Sequence, residues 1–561
     1  MKTQLFTTAL LTVISLGRSA RILPSPEALT TTEYDFVVVG GGTAGLVVVA
    51  RLSEDSNVTV LVVEAGGDDR DYPGAQVPFL AAELQNTSAD WNYTTTPQPG
   101  YGNRSISFER GRVLGGNSTV NYMAYNRASN DVYDCWANIT GDAGWSWSSL
   151  ESCYYRNSWL IAPADRRNYS SEVMAAAHGQ GPVEVSLPGD PLLVDFKFIR
   201  AGKELGDRFS FNQDLNAGDF VGLSWLQGAI GRGERSSAAT AYLHPLLGGS
   251  QNDVAIYRPN PDVLIHTQVT RILTSDHGNG CPRRTTAELG QSTSSTRVNV
   301  TAHHLLNALY FTVNANTTVD PLFRNASAMK QTLEEWNDTQ RGPYTDTAAN
   351  TIAMLRLLQN ASIFSTIPDP AAGPLSSNEE LLFAEGFVPL SNVPLPSSGD
   401  YMTILSIVTS PTSRGSVIIN STDQSAAPII DPNYLATNFD QYTAVQAMRD
   451  AFAILTTQAF EDYVGAPYGP LADRSTDEEL LEYVRRHGVT IYHGVGTAKM
   501  SSRDAAWGVV DPDLRVKGVE GLRIVDASVF PEIPECHTMV AVYILAEKAA
   551  DIIKKAYGLA L

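Results

Sequence analysis

The chain has 561 residues, 43% of them hydrophobic, which is enough for a large core and more than one domain. Its formal net charge is −20 at pH 7, which repels phosphate backbones and anionic membranes, so we expect neither nucleic acid nor a membrane as a partner. Four cysteines in so long a chain do not make a disulfide scaffold, and no metal site is expected because none shows zinc-ligand spacing. Cys135 and Cys153 either pair across a short loop or stay free as buried thiols.

Residues 1–20 have the features of a secretory signal peptide. Lys2 precedes an apolar stretch at 5–16, and small residues follow at 17–20. The stretch is too short to cross about 30 Å of hydrocarbon. Asn-x-Ser/Thr triplets, for example at Asn86 and Asn138, are glycan acceptors in secreted proteins. The sequence therefore predicts a secreted, N-glycosylated protein.

A nucleotide-binding pattern follows at residues 35–67. An apolar run at 36–39 leads into a glycine-rich turn and an apolar helix, and a second β-branched run at 58–63 ends in Glu64. This order is typical of a βαβ dinucleotide-binding unit, in which the glycines let the backbone approach a pyrophosphate at the helix N-terminus. Glu64 would accept hydrogen bonds from a ribose; the alternative is a glycine-rich turn without a ligand. The turn residues are Gly40, Gly42, Thr43, Ala44 and Gly45.

The later part of the chain predicts both helices and strands. Residues 275–301 are polar without apolar periodicity, which indicates a loop or disorder. Residues 346–360 and 440–460 have the pattern of amphipathic helices, and 401–408 and 415–419 that of antiparallel strands. Residues 538–557 predict a long helix, which ends on Lys554 and Lys555 as a helix dipole favours.

Three further motifs carry a family resemblance: ERGRVLGGNSTVNYM at 109–123, IYHGVGTAKM at 491–500, and GVVDPDLRVKGVEGLRIVDASVFPEIPECH at 508–537. With the glycine-rich turn, they resemble the glucose–methanol–choline (GMC) family of FAD oxidoreductases, in particular its secreted fungal members of the aryl-alcohol-oxidase-like and secondary-metabolite branch. The resemblance implies an α/β flavin-binding, doubly wound (Rossmann-like) domain interleaved with an α+β substrate domain that has an antiparallel sheet. The implied flavin-binding segments are 33–130, 210–302 and 488–561, and the implied substrate-domain segments are 131–209 and 303–487.

The resemblance also implies the FAD contacts. Gly115 and Gly116 would let backbone amides approach the isoalloxazine ring, and Asn121 would lie beside it. Arg112 would partner the pyrophosphate, with a surface salt bridge as its alternative. Two further positions are implied: the backbone of Val269 at the adenine, and Asp526 at the pyrophosphate and ribityl region, unless it caps the last helix.

His493 and His537 fall at the two catalytic positions of the family; the alternative for each is a satisfied polar core residue. An imidazole base suits the removal of a hydroxyl proton near neutral pH. The resemblance implies His493 as this base, His537 as the group that holds the alcohol oxygen, and FAD as the hydride acceptor. An aromatic or polyketide-derived alcohol is the implied substrate, with oxygen or a quinone as final electron acceptor, while the oligomeric state stays open.

The second signature of the family, a strand followed by an Ala-Gly turn and a Ser-Pro helix start, is missing after residue 273. Either the gene sequence was misread here or the lineage lost the segment. A parallel strand buried on both faces would then be absent, so we expect the chain to hold flavin or fold poorly. Two alternatives to the oxidase therefore stand: a redox-neutral cyclase or lyase of the same fold, and an inactive product.

Overall fold

The computed structural model describes residues 20–248, 258–274, 285–288, 297–300, 303–315, 318–347, 349–423 and 426–561. The expected signal peptide lies outside the described residues, apart from Ala20. The α-helices of the described part are α1 Thr43–Leu52, α2 Asn117–Val120, α3 Asn130–Thr140, α4 Trp147–Asn157, α5 Leu193–Leu205, α6 Pro321–Arg324, α7 Ala326–Thr339, α8 Asn438–Leu455, α9 Asp477–His487 and α10 Thr538–Tyr557.

The strands of the described part are, in chain order, β1 Arg21–Leu23, β2 Phe36–Val39, β3 Val60–Val63, β4 Tyr93–Thr94, β5 Ser107–Phe108, β6 Ser158–Leu160, β7 Val183–Val185, β8 Gly222–Trp225, β9 Ile230–Gly231, β10 Glu234–Arg235, β11 Pro261–Leu264, β12 Arg271–Thr274, β13 Thr285–Glu288, β14 Arg297–Val300, β15 Leu305–Val313, β16 Ala349–Leu355, β17 Glu379–Ala384, β18 Tyr401–Val408, β19 Gly415–Ile418, β20 Ile429–Asp431, β21 Val464–Pro467 and β22 Val489–Thr490.

A parallel sheet contains the predicted βαβ unit. Its strand order is β1-β11-β3-β2, and every neighbouring pair is parallel. All four residues of β3 are buried, as its continuous β-branched run predicts for a strand covered on both faces. Helix α1 returns the chain from β2 to β3 and packs against α10. A parallel sheet and a separate antiparallel sheet, described below, agree with the expected combination of two sheet types.

Strand β2 lies at an open edge of the parallel sheet. In the described part of the chain it pairs with β3 alone, and Val37 and Val39 are 41% and 53% exposed. None of the described strands between residues 265 and 304 joins this edge: β12 and β13 form a hairpin, and β14 pairs with β19. The edge therefore presents unpaired backbone groups and valine side chains, which is the consequence expected from the missing signature.

The prediction of a continuous loop at 275–301 is wrong for residues 285–288 and 297–300, which are strands β13 and β14. Their pairing partners, β12 and β19, supply backbone hydrogen bonds that composition alone does not indicate. The remaining residues of this segment lie outside the described residues.

An antiparallel sheet of seven strands forms the second layer. Its order is β21-β15-β18-β17-β16-β8, and β22 also pairs with β15. The strand predicted at 401–408 is confirmed as β18, whose eight residues are all buried. The strand predicted at 415–419 is β19, which belongs to a separate sheet with β14 and β20. Strands β8 and β22 join the antiparallel sheet, although their residues fall in ranges expected for the flavin-binding domain.

The helix predicted at 346–360 is wrong, because residues 349–355 are strand β16. Strand β16 lies between β17 and β8 in the sheet, and residues 350–355 are all buried. Because both faces of the strand are covered, its sequence does not alternate between apolar and polar residues as that of a half-exposed strand does. The helices predicted at 440–460 and 538–557 are confirmed as α8 and α10.

Cys135, Cys153 and Cys536 are free thiols, so the disulfide alternative for Cys135 and Cys153 is wrong. Cys153 is buried in the main core cluster, where it packs as a small apolar side chain. Among the described residues, no helix combines the length and apolar character needed to span a bilayer.

Candidate functional site

A cavity of about 1060 Å³ lies between the two sheets. It opens at the carboxyl ends of β2 and β3, where ligands bind in open α/β sheets. Val37 and Val39 also line it, so the cavity continues along the open edge of β2. The structure brings twelve of the residues named from the sequence to this cavity: Gly40, Gly42, Thr43, Ala44, Gly45, Glu64, Gly116, Asn121, Val269, His493, Asp526 and His537. Arg112 and Gly115 are not part of the lining.

The glycines of the β2–α1 turn permit close backbone packing. A Cβ on Gly45 would lie 2.1 Å from the carbonyl oxygen of Gly40. Gly116 has a φ of +55°, and a Cβ there would lie 2.8 Å from the Cα of Gly42. Gly42 is the N-cap of α1 and supplies no side chain to cap it. The free amides at the start of α1 therefore face the cavity and suit an anion.

Both carboxylate oxygens of Glu64 accept backbone amides. Oε2 accepts from Gly41 N at 2.8 Å, and Oε1 accepts from Gly66 N at 2.7 Å. Burial raises the pKa of Glu64, against the two amides, which lower it. Glu64 thus holds two turns of the cavity wall together, while each of its oxygens keeps a second lone pair for a further donor.

Gly115 and Arg112 lie directly behind the lining. The amide of Gly115 donates to the carbonyl of Gly41 at 2.8 Å, and a Cβ on Gly115 would lie 2.1 Å from Thr119 Oγ1. The guanidinium of Arg112 lies 5.2 Å from the Trp91 ring centroid, and its Nε is buried without a hydrogen-bond partner. A buried, unpaired cationic donor at this position suits a nearby anion.

Asn121 is fixed by an arginine that the sequence reasoning missed. Its Oδ1 accepts from the Met123 amide at 2.9 Å and from Arg235 Nη1 at 3.1 Å. Arg235 Nη1 also donates to the Asn121 carbonyl at 2.6 Å. Burial lowers the pKa of Arg235 to about 9. The contact between Arg235 and Asn121 arises only from the tertiary structure, because the two residues are far apart in the sequence.

Asp526 accepts the Ser528 amide at 2.8 Å and so caps the short 3₁₀-helix Ala527–Val529. The alternative in which Asp526 caps the last helix is therefore wrong, because His537 occupies the N-cap position of α10 and makes no capping hydrogen bond. Asp526 still lines the cavity.

The imidazole rings of His493 and His537 lie next to each other in the lining of the cavity. Their ring centroids are 5.0 Å apart and the ring planes meet at 85°. Burial lowers the pKa of His493 well below its usual value of 6.5, and neighbouring groups lower it further, namely His304, His537, Arg110 and His303. His493 is therefore a neutral imidazole at neutral pH.

A buried carboxylate holds His537. Nε2 of His537 lies 2.8 Å from Oε1 of Glu380, which is fully buried on β17. An imidazole nitrogen next to a carboxylate carries a proton, so Nε2 is the donor and the other ring nitrogen, Nδ1, is left for the cavity. The sequence reasoning missed Glu380, although two adjacent acids at the start of an apolar strand were a usable signal.

The antiparallel sheet presents apolar side chains to the cavity. Leu382 on β17 pairs with Leu405 on β18, and Leu306 on β15 and Ala384 on β17 also line the cavity. Glu380 and Leu382 are two residues apart on β17 and therefore share one face of the sheet. The histidine pair thus lies beside an apolar wall that has one carboxylate at its edge.

Comparison with known proteins agrees with this geometry. The GMC oxidoreductase family matches residues 34–312 with its N-terminal profile and residues 411–546 with its C-terminal profile. The chain is 35% identical to pyranose dehydrogenase 3 of Leucoagaricus meleagris over 94% of each chain. It is 33% identical to dehydrogenase eriK of Hericium erinaceus over 97% of this chain and 98% of that protein. The structure superimposes on formate oxidase of Aspergillus oryzae with a TM-score of 0.80 and 25% identity, covering 95% of this chain and 100% of the other.

Proposed function

The chain belongs to the GMC oxidoreductase family, and we propose that it oxidises the CH–OH group of an aromatic or polyketide-derived apolar alcohol. It is an FAD-dependent oxidoreductase that acts on a small molecule. The observation that carries the proposal is the pair of facing imidazoles, His493 and His537, on the cavity that the glycine-rich turn also lines.

The residues present fit FAD. The uncapped start of α1 at Gly42 and the buried, unpaired Nε of Arg112 suit its pyrophosphate. Other backbone and side-chain contacts are proposed from Gly40, Gly116, Asn121, Val269 and Asp526. When bound, FAD supplies the acceptor for the hydride that leaves the alcohol carbon.

His493 is proposed as the general base. Because its pKa lies well below the usual histidine range, it is neutral and able to accept the hydroxyl proton of the substrate at neutral pH. His537 is proposed to hold the alcohol oxygen through Nδ1, since Glu380 engages Nε2. Because Nε2 donates its proton to Glu380, Nδ1 offers a lone pair, and His537 would hold the alcohol by accepting a hydrogen bond from its hydroxyl group.

The apolar sheet face supports an aromatic or polyketide-derived alcohol rather than a sugar. Leu306, Leu382 and Leu405 present no hydrogen-bond donors or acceptors, whereas a pyranose ring carries a hydroxyl on almost every carbon. Burying those hydroxyls against leucine would cost roughly 1–3 kcal/mol for each one left unpaired. The pyranose dehydrogenase relative makes glucose the sugar to compare.

We also propose that the segments around the parallel sheet bind FAD and that the antiparallel sheet binds the substrate. Secretion and glycosylation are proposed from the N-terminal segment and the sequons, and a role in secondary metabolism from the family resemblance alone. Oxygen or a quinone is proposed as the final electron acceptor. These proposals do not bear on the chemistry of the histidine pair.

The test is an anaerobic reaction of the purified, flavin-loaded protein with 4-methoxybenzyl alcohol or with glucose. We expect the alcohol to bleach the visible flavin absorbance and glucose to do so much more slowly. His493→Ala is expected to slow bleaching by about 10²- to 10⁴-fold, the usual contribution of a general base. Faster bleaching by glucose would refute the apolar substrate, and turnover without any bleaching would favour the redox-neutral alternative.

A further inference from the structure

A second buried histidine touches the proposed base. The Nδ1 atoms of His304 and His493 are 2.8 Å apart, and the two ring centroids are 5.0 Å apart at an interplanar angle of 80°. Strand pairing creates this contact, because β15 pairs with β22 at Leu305↔Thr490. His304 directly precedes β15, and His493 follows β22 by three residues.

Two facing Nδ1 atoms at hydrogen-bond distance share one proton. If His304 carried it, Nδ1 of His493 would be the acceptor and the proton of neutral His493 would sit on Nε2. In that arrangement the Nδ1 lone pair of His493 is engaged by His304 and Nε2 carries the proton, so no lone pair is left for the substrate. If His493 carries it, Nε2 of His493 keeps its lone pair. Only the second arrangement makes His493 a base.

We propose that His304 is a positioning residue: its Nδ1 accepts the Nδ1–H of His493 and so keeps the Nε2 lone pair of His493 available to the substrate. This inference rests on the proposed role of His493 as base. Beside other catalytic histidines a carboxylate accepts the Nδ1–H hydrogen bond; here the acceptor is the neutral imidazole of His304.

The surroundings of His304 favour this arrangement. His304 is fully buried, and burial lowers its pKa to about 3, so it stays neutral. Hydrogen bonding to the backbone of Thr409 acts on the pKa of His304 in the opposite direction, but less than burial does. Nε2 of His304 is buried without a hydrogen-bond partner, so the contact with Nδ1 of His493 is the side-chain hydrogen bond that fixes the His304 ring in the described part of the chain.

Charge around the pair also favours a neutral acceptor. The titratable or charged groups that act on His493 are His304, His537, Arg110 and His303. Arg110 is a half-buried cation, and it also lowers the pKa of His303. A further positive charge on His304 would therefore be unfavourable, whereas a neutral ring accepts a hydrogen bond without adding charge.

The experiment compares His304→Asn with His304→Leu. Asparagine retains an acceptor oxygen near the position of Nδ1, while leucine has similar size and no acceptor. We expect His304→Leu to lower the rate of anaerobic flavin reduction about 10²-fold with flavin content and KM unchanged. His304→Asn is expected to recover most of that loss. Equal rates in the wild type and His304→Leu would overturn the inference, and so would equal losses in both variants.

A second readout is independent of activity. Nitrogen-15 NMR of histidine-labelled protein reports which nitrogen of His493 carries its proton, with His493→Ala as the control that assigns the signals. We expect Nδ1–H in the wild type and in His304→Asn, and Nε2–H in a substantial population of His304→Leu. Nε2–H in the wild type would overturn the inference. If His493→Ala reduces flavin at the wild-type rate, the proposed function fails instead, which separates the two claims.

Discussion

Two alanine substitutions in one turn separate cofactor binding from folding. Gly42 and Gly45 are three residues apart at the start of α1 and both line the cavity. A Cβ on Gly42 would meet its nearest atom, the Cα of Gly116, at 3.8 Å, which is an ordinary contact. Its φ of −87° and ψ of −164° are allowed for alanine. A Cβ on Gly45 would lie 2.1 Å from a backbone oxygen, where no real Cβ fits.

The expected magnitudes follow from these distances. Gly42→Ala should change the stability of the flavin-free protein by less than about 0.5 kcal/mol, because nothing is displaced. In the holoprotein the new methyl group occupies space at the proposed pyrophosphate site. Overpacking costs about 1–3 kcal/mol, which corresponds to FAD binding roughly 5- to 150-fold weaker. Gly45→Ala should destabilise the flavin-free protein by about 3 kcal/mol or more, because backbone must move.

The assay uses flavin-free protein prepared from each variant. Titration with FAD, followed by quenching of flavin fluorescence, gives the affinity, and urea unfolding of the flavin-free protein gives the stability. If Gly42→Ala binds FAD as tightly as the wild type, the start of α1 is not the pyrophosphate site. If Gly42→Ala and Gly45→Ala lower the stability of the flavin-free protein equally, the contact distances of the added Cβ atoms do not explain the effects of the two substitutions.

Three further predictions concern the base, a buried ion pair and the open sheet edge. The pKa of His493 is lowered, and the neutral form of His493 is the active one. We therefore expect kcat/KM to stay constant around neutral pH and to fall only as the pH drops through that pKa, below 6.5. A decrease of kcat/KM that already begins at or above pH 6.5 would contradict this. Glu547→Ala removes the fully buried carboxylate that accepts a hydrogen bond from Arg51 Nε at 2.8 Å and should lower the free energy of unfolding, measured with urea, by about 3 kcal/mol. Glu334→Ala, whose carboxylate forms an exposed pair with Lys330, should lower it by less than about 0.5 kcal/mol. Equal urea midpoints for the two variants would refute the burial argument. The open edge of β2 predicts that the purified chain carries less than one flavin per molecule and that it aggregates on warming. Light scattering should show less aggregation for Val37→Lys than for the unmodified chain. Stoichiometric flavin in the unmodified chain would refute the expected weak flavin binding.

Local sequence determined the elements whose signals are short-range. The β2–turn–α1 unit follows from an apolar run, a required set of glycines and an apolar helix, all within about twenty residues. Helix α10 was predicted at its observed bounds because its apolar period and basic end are local properties. The open edge of β2 in the described part of the chain was also predictable, since the polar segment after residue 273 has no apolar run to bury in the parallel sheet.

The tertiary structure alone decided which side chains meet at the histidines. Glu380 reaches His537 across 157 positions of the chain, and His304 reaches His493 across 189 positions. Both contacts depend on strand register, and a shift of one residue would turn Glu380 or His304 to the opposite face of the sheet. Register depends on pairing between distant segments and on which faces are buried, so no local pattern encodes it. For the same reason β16, buried on both faces, showed no alternation that distinguishes a strand from a helix.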